Sequence, residues 1–359
     1  MPRRYRVAVV GTGIGAKHVE GFAANPDLFE VVVVCGMDRG RAEAVAALAP
    51  GAAIHLGFDE ALLARGGIDI IDICLPPDMH LGPAMRALAA GRHVILEKPL
   101  VASLAEVDVL ETAIARSGRR LMPIFQARFG DGLAQAKHVL ASGQAGRVYV
   151  ATAETHWHRG PAYYATPWRG KIASELGGAF ITHAIHLHDM LTHLLGAVRS
   201  VSAQVATRVN PIETEDTGAV ALEFACGALA TLSVSLGSPE SSSRLRIVCE
   251  NVTITSGATA AITAAVKFHF AAREGSDRAW LDALLATAPR ALDGFAEQFR
   301  RFHATLESEA AMPVTMGEAR ASLELATAIY HSSRTGQRVG LPLAPAHPAY
   351  GGWAADLRG

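Results

Sequence analysis

Short apolar runs alternate with stretches of helical spacing through the first third of the chain. Tyr5 to Val10, Val31 to Cys35, Ile68 to Leu75 and Val94 to Leu96 are nearly continuous apolar segments. Strands apolar along their whole length are those buried on both faces, so the alternation predicts a parallel sheet covered by helices. Helices are expected from the first glycines through Ala24, over Arg41 to Leu48 after which comes the acidic turn Asp59-Glu60, over Gly82 to Ala90 with Gly91 as its stop, and over Ser103 to Ser117. The last opens with a Ser103-x-x-Glu106 capping box and runs toward Gly118. Leu121 to Phe125 adds a further strand.

The pattern then changes. Strands are predicted at Val148 to His156, Val198 to Val209, Thr217 to Phe224, Ala228 to Leu236 and Leu245 to Cys249, with few helices between them, which favours a largely antiparallel sheet. One helix is expected from Gly178 onward. Two more lie at Phe295 to Leu306 and Gly317 to Ser332, separated by a break at Met312-Pro313-Val314. The stretch from Ala258 to Ala288 reads as variable loop, strand and helix. The expected organisation is a first α/β domain over 1–123, an α+β domain over 124–342 whose last helices are free to pack back on the first domain, and a tail over 343–359.

Composition narrows this picture without redirecting it. Half of the 359 residues are hydrophobic, 19% are charged and the net charge is −1. With no basic cluster or acidic tail, neither nucleic acid nor a membrane surface is indicated as a partner. Cys35, Cys74, Cys226 and Cys249 show neither metal-ligand spacing nor a disulfide framework and read as reduced core thiols of a cytoplasmic protein. The strand at Tyr5 begins too early to leave room for a signal peptide, and no apolar run is long enough to span a bilayer.

The first candidate chemistry is Gly11-Thr12-Gly13-Ile14-Gly15-Ala16, placed between a strand and a helix. Glycine at 11 permits the tight turn, Gly13 lets backbone approach a pyrophosphate, and Ala16 allows the helix to pack on the strand. Dinucleotide binding by a Rossmann unit follows, with Gly11, Thr12, Gly13, Ile14 and Gly15 as its floor. The residue directly after the second strand is Gly36, where an NAD enzyme would carry an acid. Asp38 is placed to reach a ribose hydroxyl and Arg39 a 2′-phosphate, so NAD and NADP both remain open. Leu75-Pro76-Pro77-Asp78-Met79-His80 is a loop at the carboxyl end of another strand, and Leu75, Pro76, Pro77 and His80, with Glu97 and Lys98 further on, are expected beside the cofactor.

The run Val94 to Leu96 ends abruptly in Glu97-Lys98-Pro99. Ligands of open α/β sheets bind beyond the carboxyl ends of strands, so Lys98 points toward chemistry. The densest polar cluster elsewhere is Glu154 to Arg159, followed by Tyr163-Tyr164, Trp168-Arg169 and Gly177 to Asp189. Aromatic rings with an arginine suit a sugar, and some of Trp157, Tyr163, Tyr164 and Trp168 are expected to fill core instead. On one continuous helix Thr182, His186 and Asp189 would share a face, with His183 beside them. A metal held by His183, His186 and Asp189, or with His156, is the alternative; His186 and His188 point about 200° apart on a helix, and no metal is expected.

Gly11-x-Gly13, Pro76-Pro77-Asp78-x-His80, Ala90-Gly91-x-His93-Val94 and Glu97-Lys98-Pro99-Leu100 together resemble the glucose-fructose oxidoreductase, inositol dehydrogenase and rhizopine-catabolism family, Gfo/Idh/MocA. Gln126-Ala127-Arg128-Phe129 resembles the family's domain junction, and Ala328 to Pro342 its carboxyl-terminal signature. The resemblance implies an open second sheet whose outer face pairs subunits into homodimers or homotetramers. It also places the catalytic histidine at His186 and puts Thr182 where the family usually has an aspartate. Thr182 can bond a hydroxyl but cannot act as a base near neutral pH.

These readings converge on an NAD(P)-dependent oxidoreductase acting on a secondary alcohol or ketone of a sugar, cyclitol or sugar derivative. His186 is assigned as base, Lys98 as donor to the reacting oxygen and Glu97 as the residue orienting Lys98. Lys98, Arg128, Trp157, Tyr164, Trp168, Arg169, Thr182, His183 and His186 are expected around the substrate. The rivals are a glycoside-cleaving enzyme of the same fold that oxidises transiently with tightly held NAD, and a nucleotide-sensing protein without turnover.

Overall fold

The apolar runs of the first third become six parallel strands. In the computed structural model, which describes residues 2–260, 263–290, 294–308 and 310–354, the chain divides into two units, Met1–Gln126 with Gly294–Ala319 and Ala127–Asp293 with Arg320–Gly359. Residues 355–359 of the expected tail, and 261–262 of the expected variable stretch, lie outside the described residues.

In the first unit, β1 (Tyr5–Val10), α1 (Gly15–Ala23), β2 (Phe29–Gly36), α2 (Arg39–Ala46), β3 (Ala53–Leu56), α3 (Glu60–Ala64), β4 (Ile70–Ile73), α4 (Leu81–Ala89), β5 (His93–Leu96), α5 (Leu104–Ser117) and β6 (Leu121–Pro123) follow one another. The strand order is β3-β2-β1-β4-β5-β6, so the order reverses between β1 and β4, where open sheets of this kind bind ligands. Val7, Val9, Ile70 and Ile95 are fully buried within it. The capping box of α5 closes, with Ser103 Oγ accepting from Glu106 N at 3.1 Å and Glu106 reaching back to Ala102 N at 2.9 Å. Helix Gly294–Glu307 returns to this unit: Phe299 stacks on Phe22 with ring centroids 4.1 Å apart, and the Gln298 amide bonds Pro123 O at 2.7 Å.

The second unit holds α6 (Asp131–Ala141), β7 (Val148–His158), α7 (Pro161–Tyr164), α8 (Ile172–Glu175), α9 (Ala179–Thr182), α10 (Ile185–Leu195), β8 (Val198–Ala206), β9 (Thr217–Phe224), β10 (Leu229–Ser235), β11 (Gly237–Cys249), β12 (Val252–Ser256), β13 (Phe268–Ala272), α11 (Ala279–Thr287) and β14 (Val339–Gly340). Its eight-stranded sheet has the order β13-β12-β11-β7-β10-β9-β8-β14 and is antiparallel except where β7 runs parallel to β10. Burial alternates along β9 and β10, as a sheet with one covered face requires.

Three expectations need correction. β11 begins at Gly237 rather than Leu245, because pairing with the long β7 recruits the polar, proline-containing segment Gly237 to Ser243 against its propensity. The single helix expected from Gly178 is two, α9 and α10, broken at His183-Ala184, so Thr182 and His186 lie on different helices. Cys226 is exposed in the turn between β9 and β10, whereas Cys35, Cys74 and Cys249 are buried. Among the described residues no helix is long and apolar enough to cross a membrane.

Candidate active site

β1 hands the chain to the glycine turn at its carboxyl end. Gly11 takes φ +115°, and a Cβ there would lie 2.2 Å from the Cys74 carbonyl oxygen. A Cβ built on Gly13 would meet nothing within 4 Å, so this backbone faces open space. No side chain caps the start of α1 at Ile14. The first-turn N–H groups and the helix dipole are therefore presented to an anion, and the turn fits a dinucleotide pyrophosphate. Gly11→Ala is expected to push the ends of β1 and β4 apart and weaken NADH binding about tenfold or more, read by fluorescence titration.

The carboxyl end of β5 lies two strands from this turn in the same sheet, roughly 10 Å across at ordinary strand spacing. Here Glu97 is buried and Lys98 half-buried. Glu97 Oε2 accepts from Lys98 N at 2.9 Å, which fixes the lysine's backbone. Glu97 Oε1 faces His18 Nε2 at 3.0 Å, and His18 Nδ1 faces the two Asp72 oxygens at 2.9 and 3.0 Å. Carboxyl groups facing both ring nitrogens suit an imidazolium at His18, although burial also pushes the Asp72 carboxyl up toward its protonated form. Burial works against that charge, but Asp72 and Cys74 beside it hold His18 well above the usual histidine range. His18, Asp72 and Cys74 are also near enough to ligate a metal ion.

His80 is fastened differently. Its Nδ1 lies 2.8 Å from Pro99 O and its Nε2 2.9 Å from Leu75 O. The side chain, expected beside the cofactor, ties the loop after β4 to the Lys98-Pro99 segment. Leu75, Pro76 and Pro77 form the other half of that tie, leading into a short turn at Pro77–Met79. Asp38, expected at a ribose, caps α2 by accepting from Arg41 N at 2.8 Å, and Arg39 lies 4.0 Å from Glu43 on the same exposed helix. A Cβ on Gly36 would sit 2.7 Å from the Thr12 side chain, so there is little room for an acid at this last position of β2.

In the second unit Arg128, expected to touch substrate, is buried in a bidentate pair with Asp189 at 2.5 and 2.6 Å. Asp189 is thus committed to Arg128, though it still stands three residues from His186 on α10. His156, the other proposed metal partner, bonds Ser233 Oγ at 2.9 Å. His188 is buried against Phe180, and burial lowers its pKa to about 3. His186 is half-buried in the first turn of α10.

The residues that do come together lie around His183. Arg159 Nε donates to His183 Nε2 at 3.3 Å, so the ring's proton is on Nδ1, which donates to Thr182 Oγ1 at 2.6 Å. The Thr182 hydroxyl in turn donates to Gly178 O at 2.7 Å, leaving it no proton to offer a substrate. Trp157 is buried, its Nε1–H donates to Ser243 Oγ at 2.8 Å, and its ring meets His183 edge-on. Tyr163 packs on Tyr164, whose ring is half-buried, and on His183. Arg169 bonds the Tyr163 hydroxyl, stacks on Trp168 and pairs with Glu175 at 3.6 Å.

Beneath α9, buried Glu215 accepts from Gly178 N at 2.8 Å, Phe180 N at 3.0 Å and the Tyr330 hydroxyl at 3.0 Å. A Cβ on Gly178 would fall 1.8 Å from Glu215 O, so glycine is required for this approach. Burial raises Glu215 to about 7 against the pull of these donors. His18, Asp72 and Glu215 carry no role in the sequence reading, and Arg159 enters it only as the end of the polar cluster Glu154 to Arg159. Asp72 carried a signal, an acid inside a strand apolar on both sides, which demands a buried partner.

Comparison with known proteins agrees with this architecture. The oxidoreductase family with an NAD-binding Rossmann fold matches residues 5–125, and the GFO/IDH/MocA C-terminal domain matches residues 133–255. An uncharacterized oxidoreductase of Schizosaccharomyces pombe is 30% identical over 225 residues, 61% of this chain and 60% of that protein. The match thus spans about three fifths of such a relative. A scyllo-inositol 2-dehydrogenase (NAD(+)) of Bacillus subtilis is 28% identical over 257 residues, 67% of this chain and 69% of its own. Among solved structures, the WlbA dehydrogenase of Bordetella pertussis, in complex with NADH and UDP-GlcNAcA, superposes with a TM-score of 0.83 at 29% identity, covering 95% of this chain and 99% of that one. With an amino-terminal NAD-binding Rossmann unit followed by this open sheet, the chain belongs to the GFO/IDH/MocA oxidoreductase family.

Proposed function

We propose that the protein is an NAD(P)-dependent oxidoreductase that interconverts a secondary alcohol and ketone on a sugar, cyclitol or sugar derivative. The observation that carries this reading is Lys98, held by Glu97 at the carboxyl end of β5, two strands from a glycine turn open to a pyrophosphate. Bound nicotinamide would supply the hydride acceptor or donor. In the oxidative direction His186 takes the hydroxyl proton while the carbinol hydrogen leaves as hydride, and Lys98 donates a hydrogen bond to the oxygen as it gains negative charge. The inositol and UDP-sugar ligands named for the relatives support a polyhydroxylated substrate.

The test is a cofactor-reduction screen of inositols, free sugars and UDP-linked sugars with NAD and NADP in parallel. Steady reduction of one cofactor by a polyol is expected. Cofactor that copurifies, is never reduced in net terms and accompanies glycoside cleavage would favour the transient-oxidation rival. Absence of any nicotinamide effect on the melting temperature would sink both.

A further inference from the structure

Arg159 carries a charge that its protein surroundings do not neutralise. The residue follows β7 directly, seated by its N–H on Leu236 O at 2.9 Å. Its Nη1 donates to His158 O at 2.9 Å and its Nε to His183 Nε2 at 3.3 Å. The guanidinium carbon lies 4.8 Å from the Trp157 ring centroid and 5.0 Å from that of Tyr163. All these partners are neutral: a carbonyl, two π faces, and an imidazole whose proton is already assigned to Thr182. The two other arginines of this unit discussed above are compensated, Arg128 by Asp189 and Arg169 by Glu175.

A guanidinium stays ionised at every working pH and presents five donors in a planar fork. Two of those donors are engaged, and among the described residues Nη2 has no acceptor. Stacking beside Trp157 and Tyr163 holds the fork's plane while leaving its outer edge unmatched. A half-buried cation with no counter-charge is disfavoured until an anion arrives, and a planar fork matches a carboxylate or phosphate.

We propose that Arg159 is an oxyanion subsite, so that the substrate is an acidic sugar or cyclitol, bearing a carboxylate or phosphate, rather than a neutral one. This rests on the sugar-oxidoreductase reading and narrows it. The anion accepts from Nη2 at the outer edge of the guanidinium, which makes Arg159 a specificity residue rather than a catalytic one.

The experiment measures binding by calorimetric titration in the presence of NADH. The probes are D-glucuronate and myo-inositol 1-phosphate against their neutral parents D-glucose and myo-inositol, at low and high salt. At least one acidic probe is expected to bind about tenfold or more tighter than its parent, with the advantage shrinking in salt. The acid that binds identifies carboxylate or phosphate. Arg159→Gln should erase the preference by weakening the acid far more than the neutral parent, and Arg159→Lys, which keeps the charge without the fork, should restore part of it. Equal binding of acid and parent, no binding of either acid, or equal weakening of both by Arg159→Gln while Arg159→Lys restores neither would overturn the proposal. Turnover separates it from the broader reading. Reduction of NAD(P) by neutral polyols alone removes the oxyanion subsite and leaves the oxidoreductase standing, whereas Arg159-dependent acid binding without hydride transfer does the reverse.

Discussion

Lys98→Ala is expected to lower kcat by about 10²–10³-fold, the size found when one preorganised donor to a developing oxyanion is removed. The loss should fall on kcat and kcat/KM alike, because the hydrogen bond from Lys98 strengthens only as the reacting oxygen gains charge. NADH affinity should stay within a few-fold, since the pyrophosphate floor is built from Gly11, Gly13 and the start of α1 rather than from the lysine. Pairing Lys98→Ala with His186→Asn should cost less than the product of the two separate losses, as happens for groups that serve one step. Rapid-mixing and steady-state kinetics on the substrate found in the cofactor screen provide the readout. Undiminished turnover of Lys98→Ala would remove the lysine from the chemistry.

The second large effect concerns stability. His18→Gln leaves Asp72 and Glu97 as two carboxylates in the core with no cation between them, and breaking a buried ion pair in this way costs about 3–5 kcal/mol. At an ordinary urea slope of about 1–3 kcal/mol per molar, the first unit's transition should move down by 1 M or more, roughly. Adding Asp72→Asn should recover part of the loss, because one of the stranded charges disappears. Lys98 should feel the change too, since Glu97 then loses the partner that orients it. The pH dependence follows from the direction of the shift. His18 is raised in the folded state, so its contribution is complete below about 6.5 and is lost as pH climbs through the folded value above that. Glu215, raised to about 7, acts in the same sense between about 4.5 and 7. The protein should therefore lose stability toward alkaline pH, and His18→Gln should flatten the upper part of that profile. A His18→Gln variant that melts like the parent would show that His18 does not act as the cation between Asp72 and Glu97.

Much of the fold was legible because its signals are local. The buried strands of the first unit are apolar on both faces, and the glycine turn and capping box are short-range devices readable from spacing alone. β11 was misread at its start because its first residues owe their strand state to pairing with β7, a partner some eighty residues earlier. The helix break at His183 is equally non-local, with the start of α9 seated on Glu215 from a distant strand end. For the site, motif spacing led to Lys98, His186 and the glycines, but it could not tell a ligand contact from a structural one. Arg128 and His80 carry groups suited to a ligand and also bond protein partners far away in sequence, which spacing does not reveal. Arg159 stands out in the sequence only as the end of the polar cluster Glu154 to Arg159. What distinguishes it is the lack of a carboxylate among its partners, a property of three-dimensional neighbours.

The central claim is direct hydride transfer between a substrate carbinol carbon and nicotinamide, and isotope tracing tests it most directly. With substrate deuterated at the reacting carbon, the account predicts one deuterium on the nicotinamide C4 of the reduced cofactor for each ketone formed, and Lys98→Ala should slow its appearance without altering its destination. Deuterium that washes into solvent or stays on carbon while product accumulates would contradict it.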